Sequence, residues 1–456
     1  MNKYKAIILA GGMGKRMQSD IPKVLHKVFD KTIIDCVIDA CRGANIQDIC
    51  VVVGNKAELV KESIQKENIT FALQEQQLGT GHAVICAEHT IEAEDNILVI
   101  NGDMPLISSD SINEMFQFFS DGNFGACIIT AILSNPTGYG RIIRKENGLF
   151  SKIVEQKDAT AEELNICEGN LGVYCFKGAL LKKALKKLDN NNAQKEYYLT
   201  DVLSHIRAMG ENIGVFNLRD TTESVNVNSR LQLAETTEIY LKKVCNKHME
   251  NGVTIIHPAA TAIGFDVKIG KDTIIYPGTI IEGKTIIGAG CVIGPNSRII
   301  DSVIGSNVSV ETSKILNSKI ADNCKVGPFA NIRPNVTIDT NSKIGAFVEL
   351  KNSDLGKNTR AAHHLYIGDS SVGNNVEFGC GVITVNFDIF ENKHKTVIRD
   401  NAFIGCNSNL ISPITIGENA IVAAGSTVTN DVSDKSLAIA RAHQVNKDNW
   451  ANKLNK

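Results

Sequence analysis

The sequence carries no excess of charge of either sign: 48 Lys and Arg stand against 50 Asp and Glu, a formal net charge of −2. That balance gives no sign of a nucleic-acid or membrane-surface partner, so an anionic ligand would have to be met by local basic groups. Long apolar runs are missing too. The early stretch "KAIILA" is cut off at once by glycine and charge, so it reads as a strand and not as a signal peptide. No segment reaches the length of a bilayer span. Twelve cysteines are present, yet none forms a C-x-x-C pair or a zinc-like spacing. Several, such as Cys50, Cys127 and Cys175, sit in apolar runs as small hydrophobes. That pattern fits a reducing cytoplasm better than a disulfide framework. A Walker loop is absent, as is the Gly-x-Gly-x-x-Gly of dinucleotide folds.

What is present is a soluble globular composition, 43% hydrophobic and 21% charged, over 456 residues. That length calls for two or three domains. Residues 1–228 alternate short aliphatic strands, "KAIILA", "ICVVVG", "NILVIN" and "GACIITAIL", with helical segments such as 32–43 and 56–67. Strands separated by helices imply a mostly parallel, Rossmann-like doubly wound sheet of the α/β class, with ligands at the carboxyl ends of its strands. Residues 229–251 have helical spacing and read as a linker helix.

Residues 252–437 obey another period. Ile269, Ile275, Ile281, Ile287, Ile293 and Ile299 recur every six residues. So do Ile320, Val326, Ile332, Ile338, Ile344 and Leu350, and then Ile398, Ile404, Leu410, Ile416, Val422 and Val428. Hexapeptide periodicity marks a parallel β-helix whose aliphatic residues point into a three-sided coil. "TVNFDIFENKHKTVI", residues 384–398, breaks the register and predicts a loop that leaves the coil, a place where function tends to lie. The basic tail, 438–456, is expected to pack on a neighbouring chain or to shape a ligand mouth.

Two motifs in the first half suit phosphate chemistry. "ILAGGMGKRM" follows the first strand directly. Its glycines, Gly11 and Gly12 among them, let backbone N–H groups approach a polyphosphate closely. Arg16 and Lys23 would stabilise the charge developing on phosphate. "ILVINGDMPLIS" delivers Asp103 at a strand's carboxyl end, where a carboxylate can hold a divalent cation or simply cap a turn. Gln74, Gly79 and Thr80 in "LQEQQLGTGHA" suit a base edge or ribose.

Together with "PKVLH", "PTGYGRI", "VEQKDA" and "NNNAQKEYYLTD", these motifs resemble the bacterial bifunctional UDP-N-acetylglucosamine pyrophosphorylase/glucosamine-1-phosphate N-acetyltransferases nearly end to end. The resemblance implies a left-handed β-helix and a homotrimer with active sites between subunits. It implies UTP and acetyl-CoA as co-substrates and Mg²⁺ as cofactor. It matches Gly11, Gly12, Arg16 and Lys23 to the triphosphate loop and Gln74, Gly79 and Thr80 to uridine. Asp103 and Asn228 match the Mg²⁺ pair, and Gly140, Glu155 and Asn170 the sugar contacts. In the β-helix, His363 matches the catalytic base, a role that suits a side chain titrating near neutrality. Arg333, Lys351, Tyr366, Asn386 and Lys393 match the sugar-phosphate side, and Ala424 and Arg441 the acetyl-CoA side.

The chain also departs from the family pattern. Met13 and Asn226 differ in the nucleotide half, with Lys15 offering a charge in place of the one lost at Met13. In the acetyl half His364 and Leu365 interrupt the usual motif, and Glu377 stands for a substrate-contacting Asn. Phe387 stands for a Tyr, Ile389 disturbs a turn, and Cys406 replaces a Ser expected near the acetyl group. Glu377 would repel a phosphate but could pair with the amine. Two other readings stay open: a monofunctional nucleotidylyltransferase whose β-helix only trimerises, and a non-catalytic regulatory subunit with the same modules. The intact Arg16, Lys23, Asp103 and Asn228 set speaks against the second.

Overall fold

The computed structural model describes residues 3–64 and 66–455; expectations touching Met1, Asn2, Gln65 or Lys456 lie outside the described residues. The chain divides into two compact units, Met1–Tyr240 and Leu241–Lys456. The division falls inside the long helix Arg230–Glu250.

In the first unit the aliphatic runs form β1 (Tyr4–Leu9), β2 (Asp48–Val53), β3 (Ile69–Leu73), β4 (Asn96–Asn101) and β5 (Ala126–Ile132). β1 lies between β2 and β4, parallel to both, and β3 extends the sheet from β2. Alternation along each strand feeds two cores. Ile8, Val51, Val53, Leu98 and Ile100 face one way, against α1 (Ile33–Gly43) and a further helix, Ser109–Asp121. Ile7, Val52, Ile97 and Val99 face the other. α1 begins where Thr32 accepts a hydrogen bond from the Asp35 amide, a side-chain cap for an otherwise unpaired N–H. The segment expected as a helix over 56–67 is shorter, Ala57–Ser63, because Ile64 turns to extended backbone and buries its side chain.

Three further strands interrupt the parallel order: β6 (Gly140–Arg144), β7 (Phe150–Val154) and β8 (Glu168–Lys177). β8 inserts antiparallel between β4 and β5. The chain reaches it through the β6–β7 hairpin without a crossover helix, so the return direction is reversed. The reversal brings the first residues of β8 to the carboxyl ends of β4 and β5.

The second unit is a parallel β-helix. Ile275 faces Ile293 and Ile281 faces Ile299, so one coil takes 18 residues and the hexads form three sides. All eighteen periodic residues named above are buried except Ile269, which is half-buried. The gap in the period between Ile299 and Ile320 is not a break in the coil. Ile304, Val310 and Ile315 continue the core, and Ile299 faces Ile315, only 16 residues on. The coil there simply turns on shorter corners. The expected excursion is real: Leu355 faces Val372, but Val372 faces Ile398, 26 residues later. Inside it Phe387 and Lys393 form an antiparallel bridge.

Candidate functional sites

In the first unit the glycine loop that leaves β1 turns back through Gly14, at φ 58. A Cβ there would lie 2.8 Å from Lys23 Cβ, so only glycine lets the loop close on this lysine. Lys23 Nζ donates to Asp103 Oδ2 at 2.5 Å and to Asn228 Oδ1 at 3.0 Å. The two predicted metal-binding residues are therefore joined through an ammonium, a link the sequence did not predict. The Val227 amide donates to the Asp103 carbonyl at 2.9 Å, which fixes the segment carrying Asn228. Asp103 Oδ1 and Asn226 Oδ1 are buried and have no hydrogen-bond partner. Unpaired buried oxygens carry a desolvation cost that a cation would relieve. Arg16 is exposed.

Gln74 is buried under the loop. A Cβ on Gly11 would meet its Oε1 at 2.7 Å, and its Nε2 donates to the Gly79 carbonyl at 3.0 Å. A Cβ on Gly12, by contrast, would meet nothing within 4 Å. The Thr80 hydroxyl accepts from the Leu199 amide at 3.2 Å, so part of its hydrogen-bonding capacity is spent within the fold. Gly140, Glu155 and Asn170 converge: Gly140 faces Asn170 across β6 and β8, and a Cβ on Gly140 would lie 3.5 Å from Glu155 Oε2. Burial lifts the Glu155 carboxyl above its usual pKa, opposed by the Thr200 hydroxyl 3.2 Å away and aided by Asp158, Asp201 and Glu196.

The residues predicted for a β-helix site fall into two groups. On strands Lys343–Lys351 and Arg360–Gly368, Glu349 faces Tyr366 and Lys351 faces Gly368. Ile332 faces Leu350 and the Arg333 amide donates to Leu350 O, which sets Arg333 beside Lys351. A Cβ on Gly368 would meet the Tyr366 hydroxyl at 2.5 Å and Asn386 Nδ2 at 2.8 Å. Arg333, Lys351, Tyr366 and Asn386 thus share one side of adjoining coils. The second group forms a column at a corner. His363 faces Ala346; extending the register past the Ala361–Phe378, Phe378–Ile404 and Ile404–Val422 pairs aligns His363, Cys380, Cys406 and Ala424. A Cβ on Gly425 would lie 3.6 Å from Arg441 Cδ, which brings Arg441 to the same end. Glu377 belongs to neither group: it faces Arg360 and Phe403. Lys393 is exposed in the excursion.

Residues 5–223 match the Nucleotidyl transferase family, and residues 266–301, 317–352 and 395–430 match the Bacterial transferase hexapeptide (six repeats). The chain is 52% identical to the bifunctional protein GlmU of Clostridium acetobutylicum over 99% of both chains. It is 51% and 50% identical to those of Clostridium beijerinckii and Clostridium novyi, again over 99% of both chains. The chain belongs to the GlmU family. It is a bifunctional enzyme with a nucleotidyltransferase module and a hexapeptide-repeat transferase module.

Within this GlmU-family fold the departure at His364 acquires a physical setting. His364 takes a left-handed corner at φ 46 and stacks on Phe347, ring centroids 4.9 Å apart, which stacks in turn on Phe329 at 5.1 Å. His363, one residue earlier, lies in the corner column by register and is exposed. Residues the sequence did not single out also contact the predicted ones. Glu349 accepts from Arg333 Nη1 at 3.0 Å and from Asn331 Nδ2 at 3.1 Å. Asp369 accepts from Asn386 and Asn352. Both are acidic residues beside cations or amides across coils, a pairing visible only once the register is known. A groove of about 610 Å³ lined by Lys319, Thr337 and Asp354 contains none of the predicted site residues.

Proposed function

We propose that the chain makes UDP-N-acetylglucosamine in two steps: acetyl transfer from acetyl-CoA to glucosamine-1-phosphate, then uridylyl transfer from UTP with release of pyrophosphate. The observation that carries the second step is the buried, unpartnered Asp103 oxygen beside Lys23 and Asn228 under the glycine loop. Asp103 and Asn228 offer hard oxygen donors that fit Mg²⁺. Bound there, the ion would neutralise charge on the triphosphate. Lys23 and Arg16 steady the same phosphates, Gln74, Gly79 and Thr80 frame the base and ribose, and Gly140, Glu155 and Asn170 hold the sugar. The sugar phosphate oxygen attacks the α-phosphorus in line and pyrophosphate leaves; positioning and charge neutralisation do the catalysis.

For acetyl transfer, Arg333 and Lys351 bind the sugar phosphate, with Tyr366, Asn386 and Lys393 around the sugar. His363 takes the amine proton as nitrogen attacks the thioester, and the thiol of coenzyme A leaves. Ala424, Cys406 and Arg441 lie on the acetyl-CoA side. His363 is exposed, so a homotrimer in which a neighbouring copy completes the pocket is part of this reading. The cytoplasm is the proposed compartment, supported by the free cysteines; no helix among the described residues is long and apolar enough to cross a membrane.

Pyrophosphate release from UTP and N-acetylglucosamine-1-phosphate tests the first half. Asp103→Ala is expected to slow it on the order of 100-fold or more, and unchanged release would refute the assignment. Formation of N-acetylglucosamine-1-phosphate tests the second. His363→Ala is expected to lose roughly 10²–10⁴-fold. Equal inertness of the wild type and His363→Ala would refute the acetyl-transfer step.

A further inference from the structure

Among the cysteines of the second unit, Cys245, Cys291 and Cys324 are buried, whereas Cys380 and Cys406 are exposed. The two lie on adjoining coils. The Gly379 amide donates to the Ile404 carbonyl and the Asn407 amide to the Cys380 carbonyl, each at 2.7 Å. With Phe378 facing Ile404, Cys380 therefore faces Cys406. Adjacent strands run about 4.8 Å apart, inside the Cα separation of roughly 4.4–6.8 Å that a disulfide spans. The side chain of Cys406 leans the right way. A Cβ on Gly379 would lie 2.8 Å from Cys406 Sγ, so this sulfur occupies the space over the residue just before Cys380. Gly379 and Gly381 flank Cys380 and Gly405 precedes Cys406, which leaves the corner free to draw the two sulfurs together.

We propose that Cys380 and Cys406 are a redox-active thiol pair that closes to a disulfide on reaction with a small disulfide such as oxidised glutathione. One thiol loses its proton and its sulfur attacks the reagent, forming a mixed disulfide and releasing one reduced thiol. The second cysteine, likewise deprotonated, then attacks the enzyme sulfur, and the other half of the reagent leaves as a second thiol. Two protein thiols are oxidised and one disulfide is reduced. The pair sits in the corner column between His363 and Ala424. The bond therefore pins together the two coils that flank the acetyl-donor position, and acetyl transfer stops while it lasts. This functional consequence rests on the acetyl-transfer reading above; the bond itself does not.

The full-length protein is incubated with oxidised glutathione, alkylated, digested without reduction and analysed by mass spectrometry. The expected product is one linked peptide pair carrying Cys380 and Cys406, lighter by two hydrogens than the free peptides. Its fraction should track the loss of N-acetylglucosamine-1-phosphate formation, uridylyl transfer should hold steady, and dithiothreitol should reverse both changes. Cys380→Ser should give no linked peptide. Recovery of both thiols as separate glutathione adducts, or a linked pair with undiminished acetyl transfer, overturns the proposal. A reduced wild type that makes no acetylated sugar phosphate refutes the acetyl-transfer reading instead, and the linked peptide alone then judges the thiol pair.

Discussion

Glu155 shows how one side chain is held at odds with its surroundings. Its carboxyl titrates above the usual range because burial disfavours the charged form. Below the ordinary carboxylate pKa it is protonated folded and unfolded alike, and it costs nothing. As pH rises toward the raised folded value, the unfolded state ionises first and stability falls; above that value the penalty is constant. Glu155→Gln should therefore raise the denaturation midpoint at neutral pH, with the gain vanishing in acid. If Glu155 contacts the sugar as proposed, the KM for N-acetylglucosamine-1-phosphate should rise in the same variant. A stability gain independent of pH would contradict the account. The paired histidines part on similar grounds. His364 is spent on a stack with Phe347, whereas His363 stands free at the corner. In His364→Asn a lost aromatic contact of about 0.5–1.5 kcal/mol is set against a residue more at ease in left-handed backbone. Stability should shift by less than about 1 kcal/mol, and acetyl transfer should persist.

At the scale of elements, the β-helix is stabilised coil by coil. Ile332 is fully buried between neighbours of the same kind. Ile332→Ala should cost about 2–5 kcal/mol, measured by urea denaturation of the second unit's signal. In the nucleotidyltransferase unit the critical irregularity is the bulge in β8 between Asn170 and Tyr174. Gly172 sits there at φ 76, and a Cβ would run into Asn101 Nδ2 at the end of β4. Gly172→Ala should disturb both Asn170 and the turn that carries Asp103, lowering uridylyl transfer more than thermal stability. A loss of stability alone, with turnover intact, would separate the bulge from the site.

For the whole molecule the proposal is a homotrimer, so sedimentation should give about three times the 49.4 kDa chain mass. A monomer with full acetyl transfer would rule out a site shared between copies. The two activities should also fail separately: Asp103→Ala should leave acetyl transfer, and His363→Ala uridylyl transfer, because each lies in its own compact unit.

Periodicity made the architecture legible, since a repeat of six or an alternation of strand and helix is a local property of the chain. Gly11, Gly12 and Asp103 could be proposed from the sequence for the same reason, each sitting in a short motif after a strand end, and Lys23 from the motif that follows the glycine loop. The partners were not. That Lys23 bridges Asp103 and Asn228, 80 and 205 residues away, depends on which strand ends meet at one edge of the sheet. The five-residue spacings after Ile299 hid the coil's continuity there, while the pairing of Glu349 with Arg333 depends on how two outward side chains turn across adjoining coils. Cys380 and Cys406 are 26 positions apart in the chain because the excursion lies between them. Sequence alone determined which residues must be buried and where strands must form, because burial follows local pattern. Only the tertiary structure decided which exposed side chains become neighbours, because register between coils is set by corner length and not by the repeat itself.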